Sequence, residues 1–166
     1  DCLLSRGLGD VYKRQTSTNG AWAMPDTTDN TIRLAQSPMR SATVFNFFRP
    51  RYTPPVTELA RRHLVAPELQ ITDETSIAGY LSFLAIYADR GWEDLQTTYA
   101  PEVALAHDPQ ALVARVALLL AGDAFSAQTA GAIADAVATL PASRPRDRVR
   151  AAILLVAATP EYLVQK

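Results

Sequence analysis

The chain has 166 residues, of which 48% are hydrophobic and 20% are charged, and this composition is typical of a soluble globular domain. A chain of this length can bury a working core without disulfides or metals. Its formal net charge of −1 excludes a global electrostatic attraction for nucleic acid or for an anionic membrane. No apolar run reaches the roughly 18 to 20 uninterrupted residues of a membrane-spanning helix.

The first fifteen residues differ in character from the rest of the chain. They read DCLLSRGLGDVYKRQ and contain the single cysteine, Cys2. Because this string closely resembles a translated sequencing-adapter read-through, we expect residues 1–15 to be non-native and the natural protein to extend further upstream. The alternative is an ordinary frayed terminus. One cysteine excludes an internal disulfide and a thiolate metal cluster, and the two histidines lack ligand-like spacing, so no metal site is predicted.

Residues 16–35 are predicted to form a polar loop. Thr, Asn, Gly, Pro and Asp cluster there, as they do in loops and turns. Trp22 is the exception, and we expect it to anchor this loop to the body of the protein. Residues 30–36 are predicted to form a short helical turn that stops before Ser37-Pro38, because the residue before a proline avoids the α region.

Residues 36–71, called the Phe-Arg-Pro segment below, combine aromatic, arginine and proline residues in one run. Thr43–Phe48 is rich in β-branched and aromatic residues, but no partner strand is found, so an extended loop or a short helix is predicted. Residues 56–64 are predicted to form a short helix in which Glu58 and Arg62 have the favourable spacing of four.

The helical signals become stronger from residue 72 onward. Thr72 or Asp73 is predicted to cap a helix that ends at Gly91. Spacings of three and four place its apolar residues on one face: Ile77, Tyr80, Leu81, Leu84, Tyr87 and Ala88. Residues 93–106 are predicted to form one or two short helices that are broken at Pro101.

Three further helices follow at the C-terminal end. Asp108-Pro109 begins a helix that runs to Gly122 and is apolar nearly all round, so it is predicted to be the central and most buried element. Ser126 caps a helix over residues 127–140, and a last helix begins near Pro145. The sequence therefore predicts an all-α fold, a bundle of four main helices plus short helices with a long ordered N-terminal arm. Residues 36–166 are predicted to be the C-terminal helical region of a larger protein.

The Phe-Arg-Pro segment resembles the C-terminal part of a large bacterial family, domain of unknown function 1800. The resemblance covers about residues 20–166 and includes the ending TPEYLVQK. It rests on residues that keep the family's order: Gln36, Ser37, Pro38, Arg40, Val44, Phe45, Asn46, Phe48, Arg49, Pro50, Tyr52, Pro54, Pro55, Leu64, Val65, Ala66, Pro67 and Glu68. Arg51 is a departure, since the family usually has glycine there. If that glycine serves a positive φ, Arg51 implies a changed turn or a strained one.

The resemblance implies no assigned activity and identifies no cofactor. It implies that family members are often exported. It also implies a neighbouring protein of another family, domain of unknown function 1501, as a partner. The histidine-rich stretch that would be the natural metal-site candidate of the family lies upstream of this chain.

The candidate site residues all lie in the Phe-Arg-Pro segment: Arg40, Asn46, Arg49, Tyr52 and Glu68. In a functional interpretation the arginines clamp an anion or a carboxylate, and Tyr52 and Asn46 orient the ligand. In a structural interpretation, which we favour, Arg49 and Glu68 satisfy backbone groups of an irregular loop. The phenylalanines of the segment are predicted to pack into the helical core rather than to stack on sugars or bases.

Two hypotheses of function follow from these features. In the first, the helical region is a scaffold that completes a site with the N-terminal part of the same protein. In the second, it is a non-catalytic interaction module that binds a partner protein or a component of the cell envelope. The sequence contains no phosphate loop, nucleophile elbow or zinc-protease motif, and it does not decide whether the whole protein is an enzyme.

Overall fold

The structure, a computed structural model, describes residues 15–17, 26–91, 95–122 and 125–163. These residues are mostly helical, as the sequence predicts. They fall into two compact units, the first within Ala23–Leu84 and the second within Ala85–Lys166 together with Asp1–Trp22. Residues 1–14 of the expected non-native segment, and the predicted loop anchor Trp22, lie outside the described residues. None of the described helices is long and apolar enough to cross a membrane.

The first unit is irregular over most of its length. It contains helix α1 (Glu58–Arg61), a 3₁₀ helix (Pro67–Ile71) and the beginning of helix α2 (Glu74–Arg90). The predicted cap of α2 is confirmed. Asp73 Oδ1 accepts a hydrogen bond from the Ser76 amide at 2.7 Å, and Ser76 Oγ accepts one from the Asp73 amide at 2.9 Å. This reciprocal pair is a capping box. Gly91, with φ of 70°, follows the last residue of the helix as predicted.

The buried face of α2 is only partly the predicted one. Leu84 and Tyr87 are buried as expected, but Ile77 is exposed, which corrects the prediction for the first turns of the helix. Here the backbone of Asn30 lies so close to α2 that a Cβ on Gly79 would be 2.7 Å from the Asn30 carbonyl oxygen. A small residue therefore occupies the inner face at this level. Spacing of apolar residues alone could not predict this close approach.

The second unit contains the remaining elements. Strands β1 (Gln15–Ser17) and β2 (Leu95–Thr97) pair antiparallel, with Thr16 opposite Gln96. Helices α3 (Ala100–Leu105), α4 (Pro109–Ala121), α5 (Ala127–Ala138), α6 (Pro145–Ala157) and α7 (Pro160–Leu163) follow. The strand pair was not predicted, because three-residue strands carry no readable alternation. Pro101 lies in the first turn of α3 rather than breaking a helix, since proline lacks only an amide that has no helical partner there.

Helix α4 is the central element of the second unit, as predicted, and it contacts α3, α5, α6 and α7. Asp108 Oδ1 caps it by accepting from the amides of Gln110 and Ala111 at 3.0 and 3.1 Å. The prediction that α4 is the most buried element is wrong, because four of its residues are buried against six in α6, and Leu118 on its outer side is 61% exposed. The core around α4 is continuous and apolar: Tyr99, Ala106, Leu112, Val113, Val116, Ala117, Ile133, Ala134, Val137, Val149, Ala152, Ile153 and Val156.

Candidate functional site

The five candidate site residues lie in the first unit, at its surface. Arg40, Asn46, Arg49 and Glu68 are exposed, and Tyr52 is half-buried. Most of their hydrogen bonds are made by the backbone. The Arg49 amide donates to Gln70 Oε1 at 2.6 Å, and the Tyr52 carbonyl accepts from the Ala66 amide at 2.8 Å. Within the described residues, no hydrogen bond or ion pair joins the side chains of these five to one another.

Arg40 is held at the edge of a polar loop formed by residues 26–40. Its guanidinium pairs with Asp26 at 3.2 Å, and Asp26 also accepts from the Thr28 hydroxyl at 2.7 Å and from the Thr28 amide at 3.0 Å. Asp29 accepts in the same way from Thr31. The buried Thr27 hydroxyl donates to the Gln36 carbonyl and closes the loop. These contacts fix the chain that leads into the Phe-Arg-Pro segment.

The carboxyl groups of Asp26 and Asp29 are expected to titrate below the ordinary aspartate value of 3.8. Hydrogen bonds from Thr28 lower the pKa of Asp26, with a smaller effect from Arg40, and hydrogen bonds from Thr31 lower the pKa of Asp29. Because both folded pKa values are lowered, the stabilisation is complete above the unfolded value and is lost as pH falls through the folded values. Carboxyl-carbon NMR titration measures both. Thr28→Val should raise the pKa of Asp26 only, and Thr31→Val that of Asp29 only; a common response to either variant would contradict the assignment.

A tight turn at residues 43–46 is the most sharply defined feature of the Phe-Arg-Pro segment. The Thr43 carbonyl accepts from the Asn46 amide at 3.1 Å. The Thr43 hydroxyl accepts from the Phe45 amide at 3.1 Å and donates to the Asn46 carbonyl at 3.2 Å. Val44 and Phe45 therefore occupy the two central positions of a turn that is fixed by one threonine. The predicted extended loop is closer to this structure than the predicted short helix.

A second closed loop spans residues 52–66. Its ends are joined by the bond from the Ala66 amide to the Tyr52 carbonyl and by the Thr53 hydroxyl, which donates to the Leu64 carbonyl at 2.9 Å. Helix α1 lies within it, and the predicted pair is confirmed there: Glu58 accepts from Arg62 Nε at 2.8 Å. The Thr57 hydroxyl caps α1. The loop thus presents a fixed surface rather than an open chain.

Six non-glycine residues between positions 35 and 63 have positive φ: Ala35, Met39, Asn46, Arg51, Val56 and His63. Arg51 is one of them, with φ of 60°. Of the two alternatives expected for Arg51, a changed turn or a strained one, the positive φ supports strain, since an arginine in this region costs more than a glycine. Val56, also at 60°, is the most unfavourable of the six because it is β-branched.

Large apolar side chains are concentrated on the outside of the first unit. Of the eleven that are exposed among the described residues, eight lie within residues 26–84: Ile32, Met39, Val44, Phe45, Val56, Leu64, Val65 and Ile77. Phe45 is 60% exposed, so the prediction that it packs into the helical core is wrong. It lies at a central position of the turn that Thr43 holds. This exposed apolar surface is a feature that reasoning from the sequence missed.

In the described part of the second unit, an ion pair between α3 and α4 joins a buried carboxylate to a half-buried arginine. Glu102 is 3% exposed and accepts from Arg115 Nε at 2.8 Å. This pair ties the two helices together. No group of three metal-ligating side chains occurs among the described residues. The exposed residues of the first unit include both large apolar side chains and arginines.

Comparisons with known proteins agree with the resemblance found in the sequence. A family model described as protein of unknown function (DUF1800) matches residues 11–164. The match leaves residues 1–10 and 165–166 outside and contains all of the residues that the structure describes. No curated protein and no solved structure matches the chain. Because the family model covers most of the sequence, the chain belongs to the family of proteins of unknown function called DUF1800.

Proposed function

We propose that the Phe-Arg-Pro segment is a protein-binding surface and that the helical unit is the scaffold that carries it. The observation that carries this proposal is the uneven distribution of exposed apolar side chains. The first unit exposes eight large ones, whereas the described part of the second unit exposes three. Concentrated exposed apolar groups mark interaction surfaces more often than scattered single residues do.

The backbone of the segment supports the proposal. Met39 and Val56 are both fully exposed and both have φ of 60°. Residues held in such conformations cost about 1 to 3 kcal/mol each and cluster at ligand clamps and other functional sites. Because both side chains are fully exposed, no burial of apolar surface within the described chain offsets this cost. A partner that covers Met39 and Val56 would bury that surface and offset the cost.

The hydrogen bonds of the segment indicate that little ordering would be needed on binding. The turn at 43–46 and the closed loop at 52–66 are both fixed by bonds within the chain. A backbone that is already ordered avoids the entropy cost of ordering a loop on binding. The segment therefore has the properties of a preformed docking surface.

The charges of the segment indicate the chemistry of the partner. Residues 36–71 contain five arginines and two glutamates, a surplus of three positive charges. Arg61 and Arg62 pair with Glu58, and Arg40 pairs with Asp26. Arg49 and Arg51 are exposed and form no ion pair among the described residues. Arginine favours bidentate contacts to carboxylates, so the partner is an apolar protein surface that also presents carboxylates.

An N-terminal part of the same protein, predicted as a partner from the sequence, is one such surface, and a protein of the neighbouring family is another. In the first case the docked surface would also complete a site, with Arg40, Asn46, Arg49, Tyr52 and Glu68 at its edge. The proposal does not depend on catalysis. It requires only that the exposed apolar groups be covered in the cell.

Site-specific photo-crosslinking in the cells that make the protein tests the proposal. A benzophenone amino acid replaces Met39 or Val56 in separate variants, and Asp135, an exposed residue of α5, is the control position. We expect both segment positions to form one defined adduct and position 135 to form none. Peptide mapping distinguishes a crosslink within the chain from one to a separate protein. Adducts from positions 39 and 56 no stronger than those from 135 would refute the proposal.

A further inference from the structure

We infer that the turn at residues 43–46 is the anchor of this docking surface, and that Phe45 enters an apolar pocket of the partner that is bordered by carboxylates. The inference rests on the proposed function, because it names the residue and the chemistry by which the same surface binds. Its partner is a protein. The apex residues Val44 and Phe45 are 94% and 60% exposed.

The turn at residues 43–46 has a fixed backbone. Three hydrogen bonds join Thr43 to Phe45 and Asn46 and hold the apex: one from the Asn46 amide to the Thr43 carbonyl and two through the Thr43 hydroxyl. Asn46 has φ of 70°, a conformation that asparagine tolerates better than most residues. The backbone that carries Phe45 is thus fixed before any partner arrives. An exposed aromatic side chain on an ordered backbone has the properties of an interface hot spot.

Phe45 has a large apolar side chain that a partner can cover. An aromatic residue buries roughly 150 to 250 Å² when it is covered completely. Phe47 and Phe48, two and three residues further on, are already half-buried in the chain itself. Phe45 alone of the three is directed mainly to solvent. It is therefore the aromatic group of this segment that a partner can still cover.

Two exposed arginines that follow Phe45 in the sequence indicate the class of partner. Arg49 and Arg51 follow Phe45 by four and six residues, and both are exposed. Contacts between a guanidinium and a carboxylate are charge-assisted and directional. An anionic bilayer is the less suitable partner. Three of the five arginines in residues 36–71 are paired with carboxylates of the chain, which leaves Arg49 and Arg51, whereas attraction to anionic lipid comes from clusters of about four to eight lysines and arginines.

Selection of peptides on the intact protein tests the inference. The probe is a phage-displayed library of random 16-residue peptides, and the affinity of each enriched peptide is measured by fluorescence polarisation. We expect enriched peptides to combine aliphatic or aromatic residues with aspartate or glutamate. Phe45→Ser should weaken their binding at least tenfold, and Thr43→Val should weaken it by a smaller factor, because it frees the apex but keeps the phenylalanine. Ile86→Ser, at an exposed apolar residue of the second unit, is the matched control and should bind as the parent protein does.

Three results would overturn the inference: no enriched peptide, enriched peptides without carboxylates, or equal binding by the Phe45→Ser variant. Phe45-dependent cosedimentation with phosphatidylglycerol vesicles would also overturn it, in favour of a membrane. Because Phe45 is exposed, its replacement should leave the thermal unfolding midpoint unchanged, and this measurement separates loss of binding from loss of fold. If positions 39 and 56 form crosslinks but peptide binding does not depend on Phe45, the role of Phe45 as the anchor is refuted and the proposed docking surface stands. Absence of those crosslinks would refute the proposed function itself.

Discussion

Replacement of Arg148 by methionine is expected to lower the free energy of unfolding by about 3 kcal/mol. Arg148 lies in α6 and is 7% exposed. Its Nη1 donates to the Ala106 carbonyl at 2.9 Å, and its Nε and Nη2 donate to the Leu140 carbonyl at 3.0 and 2.7 Å. These carbonyls lie just beyond the C-terminal ends of α3 and α5. One guanidinium therefore satisfies the ends of two helices at once.

The size of the effect follows from what the substitution leaves behind. Carbonyls at helix ends have no partner within the helix, and each buried polar group that loses its partner costs about 1 to 3 kcal/mol. The helix dipoles also place negative potential at these ends, which favours the arginine charge there. Methionine keeps much of the apolar volume but donates nothing. Lysine should restore only part of the stability, because one ammonium group cannot reproduce the planar fork that reaches both ends.

Urea unfolding followed by circular dichroism measures the difference. Arg146→Met is the matched control, since Arg146 lies in the same helix, two residues earlier, and is exposed. We expect it to change stability by no more than about 0.5 kcal/mol. Equal stability of the two variants would show that solvent replaces the Arg148 contacts and that the helix ends are not buried as the structure describes.

Sequence reasoning located most helix ends because their signals are local. Asp108 with Pro109, Ser126 and the pair Asp73 and Ser76 each begin a helix by bonds that span two or three residues. Such bonds depend on residue type and spacing alone. The all-α class follows from these ends together with the apolar periodicity between them. The same reasoning failed at β1 and β2, which pair residues 78 to 82 positions apart.

The candidate site could be predicted only in part, and the reason is again the range of the contacts. The unusual composition of the Phe-Arg-Pro segment identified the family, and the resemblance to that family predicted a changed or strained turn at Arg51. Phe45 lies at a central position of the turn that Thr43 holds, and no pattern of apolar residues reports its exposure. Arg148 is similar: in the sequence it is one of four arginines between positions 144 and 150. Its burial depends on a carbonyl forty-two residues away.

Gly79→Ala is expected to destabilise the protein by roughly 1 to 2 kcal/mol, although alanine is the better helix former. Gly79 lies in the first half of α2, opposite the polar loop at residues 26–40. An added Cβ would lie 2.7 Å from the Asn30 carbonyl oxygen and 2.9 Å from the Thr31 carbonyl carbon. These are backbone atoms, so they cannot rotate away as a side chain can. The loop must shift, and the bonds that close it at Thr27 and Leu34 must weaken.

Gly131→Ala in α5 is the matched control, and its effect should have the opposite sign. A Cβ at Gly131 meets no heavy atom within 4 Å, so the substitution should stabilise the helix by about 0.5 to 1 kcal/mol. Chemical denaturation measures both changes. Hydrogen exchange at the Leu34 amide reports the loop separately, because that amide donates to the Thr27 carbonyl at 3.1 Å. Faster exchange at Leu34 in the Gly79 variant alone would show that α2 fixes the loop leading into the docking surface. Equal stabilisation by the two alanines would refute the close approach and, with it, the fixed geometry on which preformed docking depends.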